Sequence, residues 1–283
     1  MSFVSCIIPT HNRPEMLIEA LASVRAQTFT DYEIIVVSNG EGNEMRAASL
    51  AIATYFDAVY VALAEGNVSR ARNFGIAQAK GEWIAFLDDD DIWLPTKLER
   101  QVAAAGRTGA DMIAADWIEF HPDGRERVSR PRCPDGWPYA KAIHHGYWRA
   151  AMGSSPLIRK AVFDEIGGFD ISLRIAEDID MVRRIAWHHT IHQMDEVLMR
   201  YRRGHASLSR DIRQLAACDL RHFRKMRRDT PAALRWTLPS AMLYVPPRFI
   251  LLLLPTWCQD MIGALRPRRR WVEFRRWLRL RTR

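Results

Sequence analysis

The sequence predicts an α/β fold in which a mostly parallel β-sheet is flanked by helices, and three observations support this prediction. Short β-branched runs alternate with helical patterns from the N-terminus onward. Polar or acidic residues directly follow three predicted strands, at Thr10, 38–40 and 88–91, and open α/β sheets bind ligands beyond the carboxyl ends of their strands. With 283 residues, 48% of them hydrophobic, the chain can bury one large core, or one domain of about 200 residues plus an appendage, which excludes a disordered or fibrous protein.

The regular alternation occupies the N-terminal part of the chain. A helix is predicted to begin at Pro14, because Leu17, Leu21 and Val24 follow at i, i+4, i+7 spacing and form one apolar face. Short apolar runs and the patterns between them predict strands over 4–8, 33–37, 58–63 and 83–87, and helices over 43–56 and 70–79. The ends of the first, second and fourth strands are therefore expected to converge on one site.

After residue 95 the pattern becomes mixed. We predict a helix over 96–106, a strand over 110–116 and another helix that begins at Glu177. A pair of strands is predicted through Ile191 and 198–201. Residues 121–150, rich in Pro, Gly, His and Trp, are predicted to form one long loop.

The basic character of the chain belongs to its C-terminal tail. Residues 266–283 contain nine arginines and the single acid Glu273, so this tail carries the whole formal net charge of +8. The remaining residues are formally neutral, and nucleic-acid binding by the main domain is not predicted. Trp271, Phe274 and Leu278 repeat at i, i+3, i+7, which indicates a basic amphipathic helix on an anionic membrane surface. A solvated tail or a tail that binds nucleic acid are the alternatives.

An apolar segment precedes this tail. Prolines 239, 246, 247 and 255 interrupt it, whereas a helix that spans a membrane needs about 20 apolar residues in unbroken register. The segment is therefore predicted to lie in the membrane interface and not to cross it.

The cysteines and the N-terminus predict the compartment. The four cysteines are far apart and form no CxxC pair, so neither a zinc ribbon nor a disulfide framework is indicated, and a reducing compartment fits best. The first residues, MSFVSCIIPTHN, lack the basic region and long apolar stretch of a signal peptide. We expect a cytoplasmic protein, peripheral on the cytoplasmic face of the membrane.

The acidic run Asp88, Asp89, Asp90 and Asp91 predicts a cation site. Four adjacent like charges repel and cannot be buried unpaired. Carboxylate oxygens suit Mg²⁺ or Mn²⁺, which typically take one or two carboxylates plus substrate phosphates. A solvated acidic turn is the alternative, but the position directly after the apolar strand WIAFL favours the metal.

Four motifs carry a resemblance to a known family: PTHNR at 9–13, SRARNFGIAQAKGEWIAFLDDDDIWLPTKLE at 69–99, GGFD at 167–170 and EDIDM at 177–181. Over about residues 3–210 the chain resembles the inverting family 2 glycosyltransferases of GT-A fold, whose sheet is Rossmann-like. The resemblance implies a nucleotide-sugar-binding half over 1–95 and an acceptor-binding and catalytic half over 96–210. Residues 211–283 are then a helical, apolar and Arg-rich membrane-associating extension. The loop over 121–150 is expected to be an acceptor-binding or mobile segment.

The resemblance also implies the donor and metal site. Asp88 and Asp90 form the DxD pair, with Asp90 the direct metal ligand and Asp88 nearer the ribose and diphosphate; Asp89 and Asp91 are supporting charges. His205 resembles the histidine that completes the metal or diphosphate site, although a lone histidine is more often structural. The nucleotide pocket is assigned to Pro9, Thr10, Asn12, Asn39, Asp89 and Arg72.

Two of these assignments leave alternatives open. Arg72 is expected to approach the nucleotide or its phosphates; pairing of its guanidinium with an aspartate is the alternative. Family members usually carry an aspartate after the second strand, as in VVDDGS, where this chain has Asn39. An asparagine offers a carbonyl oxygen to the base, and the identity of the base stays open.

Asp178 is the candidate general base. An acceptor hydroxyl must lose its proton as it attacks the anomeric carbon, and the ED motif supplies this base in the family. The alternative is that Glu177 and Asp178 merely complement the helix dipole.

The predicted function is metal-dependent, inverting transfer of a sugar from a nucleoside diphosphate to a hydroxyl of a glycan or lipid-linked acceptor, in cell-surface polysaccharide or glycolipid assembly. A sugar-phosphate nucleotidylyltransferase is one alternative, although PTHNR lacks the glycine-rich loop of those enzymes. A non-catalytic membrane-binding module with a degenerate site is the other.

Overall fold

The computed structural model describes residues 3–40, 42–64, 66–130, 153–173, 175, 177–204, 221, 224, 225 and 227–229. Their strands are β1 Val4–Thr10, β2 Tyr32–Ser38, β3 Val59–Ala62, β4 Trp83–Phe86, β5 Ile92–Trp93, β6 Met112–Phe120, β7 Glu126–Ser129, β8 Leu157–Arg159 and β9 Ile191–Arg202. Their helices are α1 Pro14–Arg25, α2 Asn43–Tyr55, α3 Val68–Gln78, α4 Lys97–Thr108, α5 Lys160–Ile166 and α6 Glu177–His188.

The first four strands form the parallel half of one mixed sheet. Strand β1 is central and pairs in parallel with β2 and β4, and β2 pairs in parallel with β3. Alternate side chains of β1 enter different cores: Cys6 and Ile8 pack with α1 residues such as Leu17, whereas Ile7 packs with Ala71 of α3. Helices therefore cover both faces, as the buried, β-branched strands predict.

The second half of the sheet adds antiparallel pairs. The strand order of the whole sheet is β3-β2-β1-β4-β8-β6-β9-β5. Strand β8 pairs antiparallel with both β4 and β6, while β9 runs parallel to β6. The sequence did not predict β5, β8 or α5, since each is too short for its periodicity to be read. The same sheet contains strands from both sides of residue 95, where the first boundary was predicted. The division of the chain into 1–95, 96–210 and 211–283 stays a prediction.

The prediction of one long loop over 121–150 is wrong for its first residues. Residues 126–129 form β7, which pairs antiparallel with the end of β6, with Phe120 opposite Glu126. The connecting turn uses Gly124 at φ 79°, a left-handed conformation that glycine adopts without steric cost. The pair Asp123-Gly124 is a typical hairpin signal. Residues 131–150 lie outside the described residues.

The strand pair predicted through Ile191 and 198–201 is one strand, β9, of twelve residues. Its register with β6 shifts where Ala114 pairs with Gln193 but Asp116 pairs with Val197. Such an irregularity breaks the alternation of side chains, which explains why the sequence suggested two strands.

Among the described residues, no helix combines the length and apolar character needed to cross a membrane. The predicted interfacial segment and the basic tail, over 237–283, lie outside them.

Candidate active site

The acidic run forms a tight turn directly after β4. The backbone N–H of Asp91 donates to the carbonyl oxygen of Asp88 at 3.0 Å. The ends of β1 and β2 meet beside this turn, where the N–H of Asn39 donates to the carbonyl oxygen of Thr10 at 2.9 Å. The structure thus brings together the three strand ends that the sequence placed at one edge.

Asp89 joins this turn to the end of β1. Its carboxylate accepts hydrogen bonds from the Thr10 hydroxyl at 2.8 Å and from the His11 N–H at 3.2 Å. Arg13 pairs with its other oxygen at 3.2 Å. Burial raises the pKa of Asp89 to about 6, with a further contribution from Asp90. These contacts make Asp89 an anchor between the acidic turn and PTHNR.

Asp88 is bridged by Arg72 to the first turn of α6. The Arg72 guanidinium lies 2.7 Å from a carboxylate oxygen of Asp88 and 2.8 Å from one of Glu177. Arg72 is only 3% exposed and also lies over the Phe169 ring. Burial lowers its pKa, but Asp88 and Glu177 more than offset this, so that the pKa stays above its ordinary value. Two partners were predicted for Arg72, a phosphate of the nucleotide or an aspartate, and the structure shows Arg72 paired with the aspartate Asp88.

The last two carboxylates of the turn are held differently. Asp90 pairs with Arg13 at 2.7 Å, and it is partly exposed. Asp91 is 1% exposed, and each of its oxygens accepts a hydrogen bond, one from the Ser154 hydroxyl at 2.6 Å and one from the Arg202 N–H at 3.1 Å. Asp91 therefore connects the turn to the end of β9 and to the segment before β8.

Three of the carboxylates form a cluster that fits a divalent cation. One ligand oxygen from each of Asp88, Asp90 and Asp91 lies within 4.8 Å of the others. Burial raises the pKa of Asp91 well above its ordinary value, and the charges of Asp90 and Asp88 raise it further. A cation would relieve this repulsion, and an all-oxygen donor set suits Mg²⁺ or Mn²⁺. The sequence prediction treated Asp91 as a supporting charge, whereas the structure places it in the cluster.

Asp178 lies in the first turn of α6, next to the Glu177 that Arg72 ties to Asp88. It is half-buried, and burial raises its pKa to about 7, with Glu177 raising it further and Arg72 lowering it. A carboxyl with a pKa near the working pH is suited to accept a proton. The structure therefore places the candidate base directly beside the ion pairs that join Glu177, Arg72 and Asp88.

The residues assigned to the nucleotide pocket surround the ends of β1 and β2. Pro9 and Thr10 are buried at the end of β1, and the exposed Asn12 adopts a left-handed φ of 54°. Asn39 is 5% exposed, and its side-chain oxygen accepts no hydrogen bond from any described residue. A buried, unsatisfied carbonyl oxygen is available to a ligand N–H.

Sequence reasoning did not assign Arg13, Ser154 or Arg202 to the site. Arg13 is the last residue of the motif PTHNR, so this motif could have pointed to it. Ser154 acts through a small hydroxyl, and Arg202 donates its backbone N–H to Asp91 and its Nε to the Asp90 carbonyl oxygen at 2.9 Å. These contacts join segments far apart in the chain, so no local pattern reveals them. His205, predicted as a metal or diphosphate ligand, lies outside the described residues.

Two solved structures share this architecture. Crystalline S. aureus TarS in complex with UDP-GlcNAc is similar, with a TM-score of 0.69 and 17% identity over 91% of this chain and 77% of that one. The mannosyltransferase PcManGT of Pyrobaculum calidifontis, in complex with GDP-Man and Mn²⁺, is similar, with a TM-score of 0.61 and 18% identity over 95% of this chain and 82% of that one. The mixed sheet and its flanking helices therefore have the GT-A-like fold of these structures.

The sequence relatives give the family. The model of glycosyl transferase family 2 matches residues 5–167, and the chain belongs to this family. An uncharacterized glycosyltransferase of Rickettsia prowazekii is 30% identical over 70% of this chain and 63% of its own length. Glycosyltransferase AglE of Haloferax volcanii is 28% identical over 65% of this chain and 61% of its own length. The chain thus spans less than two thirds of these relatives. Membership of this family decides against the nucleotidylyltransferase alternative.

Proposed function

We propose that this enzyme is a metal-dependent, inverting glycosyltransferase that moves a sugar from a nucleoside-diphosphate sugar to a hydroxyl acceptor. The observation that carries the proposal is the ionic chain from the Asp88–Asp90–Asp91 cluster through Arg72 to Glu177 and its neighbour Asp178. It joins a place for a cation and diphosphate to a carboxyl that can accept a proton. The donors bound by TarS and PcManGT, UDP-GlcNAc and GDP-Man, support a nucleotide-sugar donor.

We assign the divalent cation, Mn²⁺ or Mg²⁺, to Asp88 and Asp90. Both oxygens of the buried Asp91 already accept hydrogen bonds within the protein, whereas Asp90 is partly exposed and pairs with the partly exposed Arg13. When bound, the cation neutralises the charge that develops on the leaving diphosphate. Arg72 and Arg13 contribute further positive charge at the same edge.

We assign the base of the donor to the pocket between Thr10 and Asn39. The buried Asn39 oxygen, which has no partner among the described residues, accepts an N–H of the base. An amide also carries two donors, so a base that presents an acceptor beside its N–H is recognised as well.

The transfer step requires a proton acceptor on the face of the sugar opposite the leaving diphosphate. We assign this role to Asp178, whose carboxylate takes the proton of the acceptor hydroxyl as the new glycosidic bond forms and the bond to the diphosphate breaks. Attack from that face inverts the anomeric centre. Arg72, through Glu177, fixes the turn that carries Asp178 relative to Asp88.

A thermal-shift measurement on the full chain tests donor binding. With Mn²⁺ and a nucleoside-diphosphate sugar at about 100 times its Kd, the Tm should rise by about 5–10 °C. A nucleoside monophosphate, which lacks the second phosphate, serves as the matched control ligand and should give a much smaller rise. Equal stabilisation by the donor with Mn²⁺ and with EDTA would contradict the assigned metal site.

We also propose that the enzyme acts at the cytoplasmic face of a membrane, on a glycan or lipid-linked acceptor in cell-surface polysaccharide or glycolipid assembly. The arginine-rich residues 266–283 and the apolar, proline-interrupted segment before them support this location, since each arginine near an anionic leaflet contributes about 1 kcal/mol. Deletion of residues 237–283 should move the protein from the membrane fraction to the soluble fraction. An unchanged distribution after fractionation would refute interfacial anchoring.

A further inference from the structure

Ser154 contacts two parts of the acidic turn through one hydroxyl group. Its Oγ donates to Asp91 Oδ2 at 2.6 Å and accepts from the backbone N–H of Asp88 at 3.0 Å. The turn itself is closed by the hydrogen bond from the Asp91 N–H to the Asp88 carbonyl. One hydroxyl therefore spans the first and last residues of the run. Ser154 itself is fully buried, and its bond to Asp91 is shielded from water.

Contacts of its own backbone and of the preceding residue also hold Ser154 in position. Its carbonyl oxygen accepts a hydrogen bond from the Trp93 indole N–H at 3.0 Å, and the Trp93 backbone N–H donates to the Ser23 hydroxyl at 3.1 Å. The preceding residue, Gly153, lies so close to Arg72 and Asp88 that a Cβ there would approach their side chains to 2.9 and 3.1 Å. The segment thus approaches the acidic turn as a rigid surface.

These contacts hold the Asp91 side chain and the Asp88 backbone in place. With the Asp91 carboxylate held by Ser154 and by the Arg202 N–H, Asp91 cannot turn freely, and the Asp88 backbone is fixed at its amide. Asp90 then lies between two fixed residues. Replacing a hydrogen-bond partner that holds a metal ligand in place typically lowers metal affinity about 10- to 100-fold, and Ser154 holds the assigned ligand Asp88 at its backbone N–H.

We infer that Ser154 is a positioning residue for the cation and diphosphate site, which it assembles by tying Asp88 and Asp91 together. This inference rests on the proposed metal-dependent function. It assigns to the Gly153-Ser154 segment a role that neither the fold nor the motifs of the sequence indicate, since a buried serine before a strand is ordinarily a packing residue.

The next residue offers a matched control. Ser155 is also fully buried, and its hydroxyl also makes two hydrogen bonds with the protein, donating to the Ala115 carbonyl at 2.8 Å and accepting from the Ala115 N–H at 3.1 Å. Its partners belong to β6 and not to the acidic turn. Replacing either serine by alanine removes one buried hydroxyl and two hydrogen bonds, so the two variants should lose similar stability.

The experiment compares the affinity of the full chain for Mn²⁺ alone, by isothermal titration and by the EPR signal of free Mn²⁺, at a temperature where all variants are folded. Ser154→Ala should raise the Kd about 10- to 100-fold, whereas Ser155→Ala should stay within about twofold of wild type. If Ser154→Ala fails to fold, Ser154→Cys, which is close to serine in size but a weak donor, should still weaken binding clearly.

The possible outcomes distinguish a failure of the positioning role of Ser154 from a failure of the proposed function. Wild-type affinity in Ser154→Ala, or in Ser154→Cys where that variant replaces it, would overturn the positioning role and leave the proposed function standing. Equal weakening in Ser154→Ala and Ser155→Ala, in proportion to their loss of Tm, would show a merely structural residue and also overturn the inference. Absence of Mn²⁺ binding by the wild-type protein would overturn the metal-dependent function and this inference together.

Discussion

Replacing Asp178 with asparagine should lower kcat by about 10²- to 10⁴-fold, the usual contribution of a general base. Asparagine keeps the size of the side chain and its position on α6 but cannot accept the proton of the acceptor hydroxyl. Because the cation and the donor are assigned to other residues, the Kd of the donor should stay close to wild type. Initial rates with saturating donor and acceptor, together with donor titrations, measure the two effects separately.

The pH dependence provides the second readout of Asp178. Burial raises its pKa to about 7, so the carboxyl is protonated and inactive below this value and deprotonated above it. Wild-type kcat should therefore rise with pH up to about 7 and then level off, and Asp178→Asn should lose this dependence. Asp164→Asn is the control, because Asp164 is an exposed carboxylate beside Phe3 and Gly81, at the opposite end of the strands. A wild-type rate in Asp178→Asn would contradict the mechanism.

Replacing Asp90 with alanine should lower kcat/KM by at least about 100-fold, since stabilisation of the leaving charge by a cation is worth several kcal/mol. The same change should not destabilise the unliganded fold. Asp90 repels Asp91, and its removal leaves Arg13 paired with Asp89. The Tm in EDTA should therefore equal or exceed that of the wild type, while the rise of Tm on adding Mn²⁺ disappears.

These opposite effects on activity and stability distinguish a ligand from a structural residue. Asp164→Ala serves as the control for a lost surface carboxylate and should change neither kcat/KM nor the response to Mn²⁺. A large fall in the metal-free Tm of Asp90→Ala would indicate that Asp90 holds the turn together and would count against its assignment as a ligand. Retention of Mn²⁺ binding by this variant would count against it directly.

The sequence predicted the first half of the fold closely because each of its elements has a strong local pattern. Strands β1 and β2 contain the short apolar runs 6–8 and 34–37, and α1 repeats its apolar residues at helical spacing. In the second half, β5 and β8 are too short to show a period, and their pairing depends on distant partners such as β9 and β4. The bulge between β6 and β9 arises only when the two strands pair.

By itself, the sequence determined the family, the α/β class and the site's principal charges, because DDDD after WIAFL and the ED pair of α6 are contiguous chemical patterns. Only the tertiary structure decided how those charges are arranged. It pairs Arg72 with Asp88 and Glu177, places Arg13 on Asp89 and Asp90, and uses Ser154 and the Arg202 N–H to hold Asp91. The physical reason is that buried charges require partners, and which partners reach them depends on the contacts between strand ends that lie far apart in the chain.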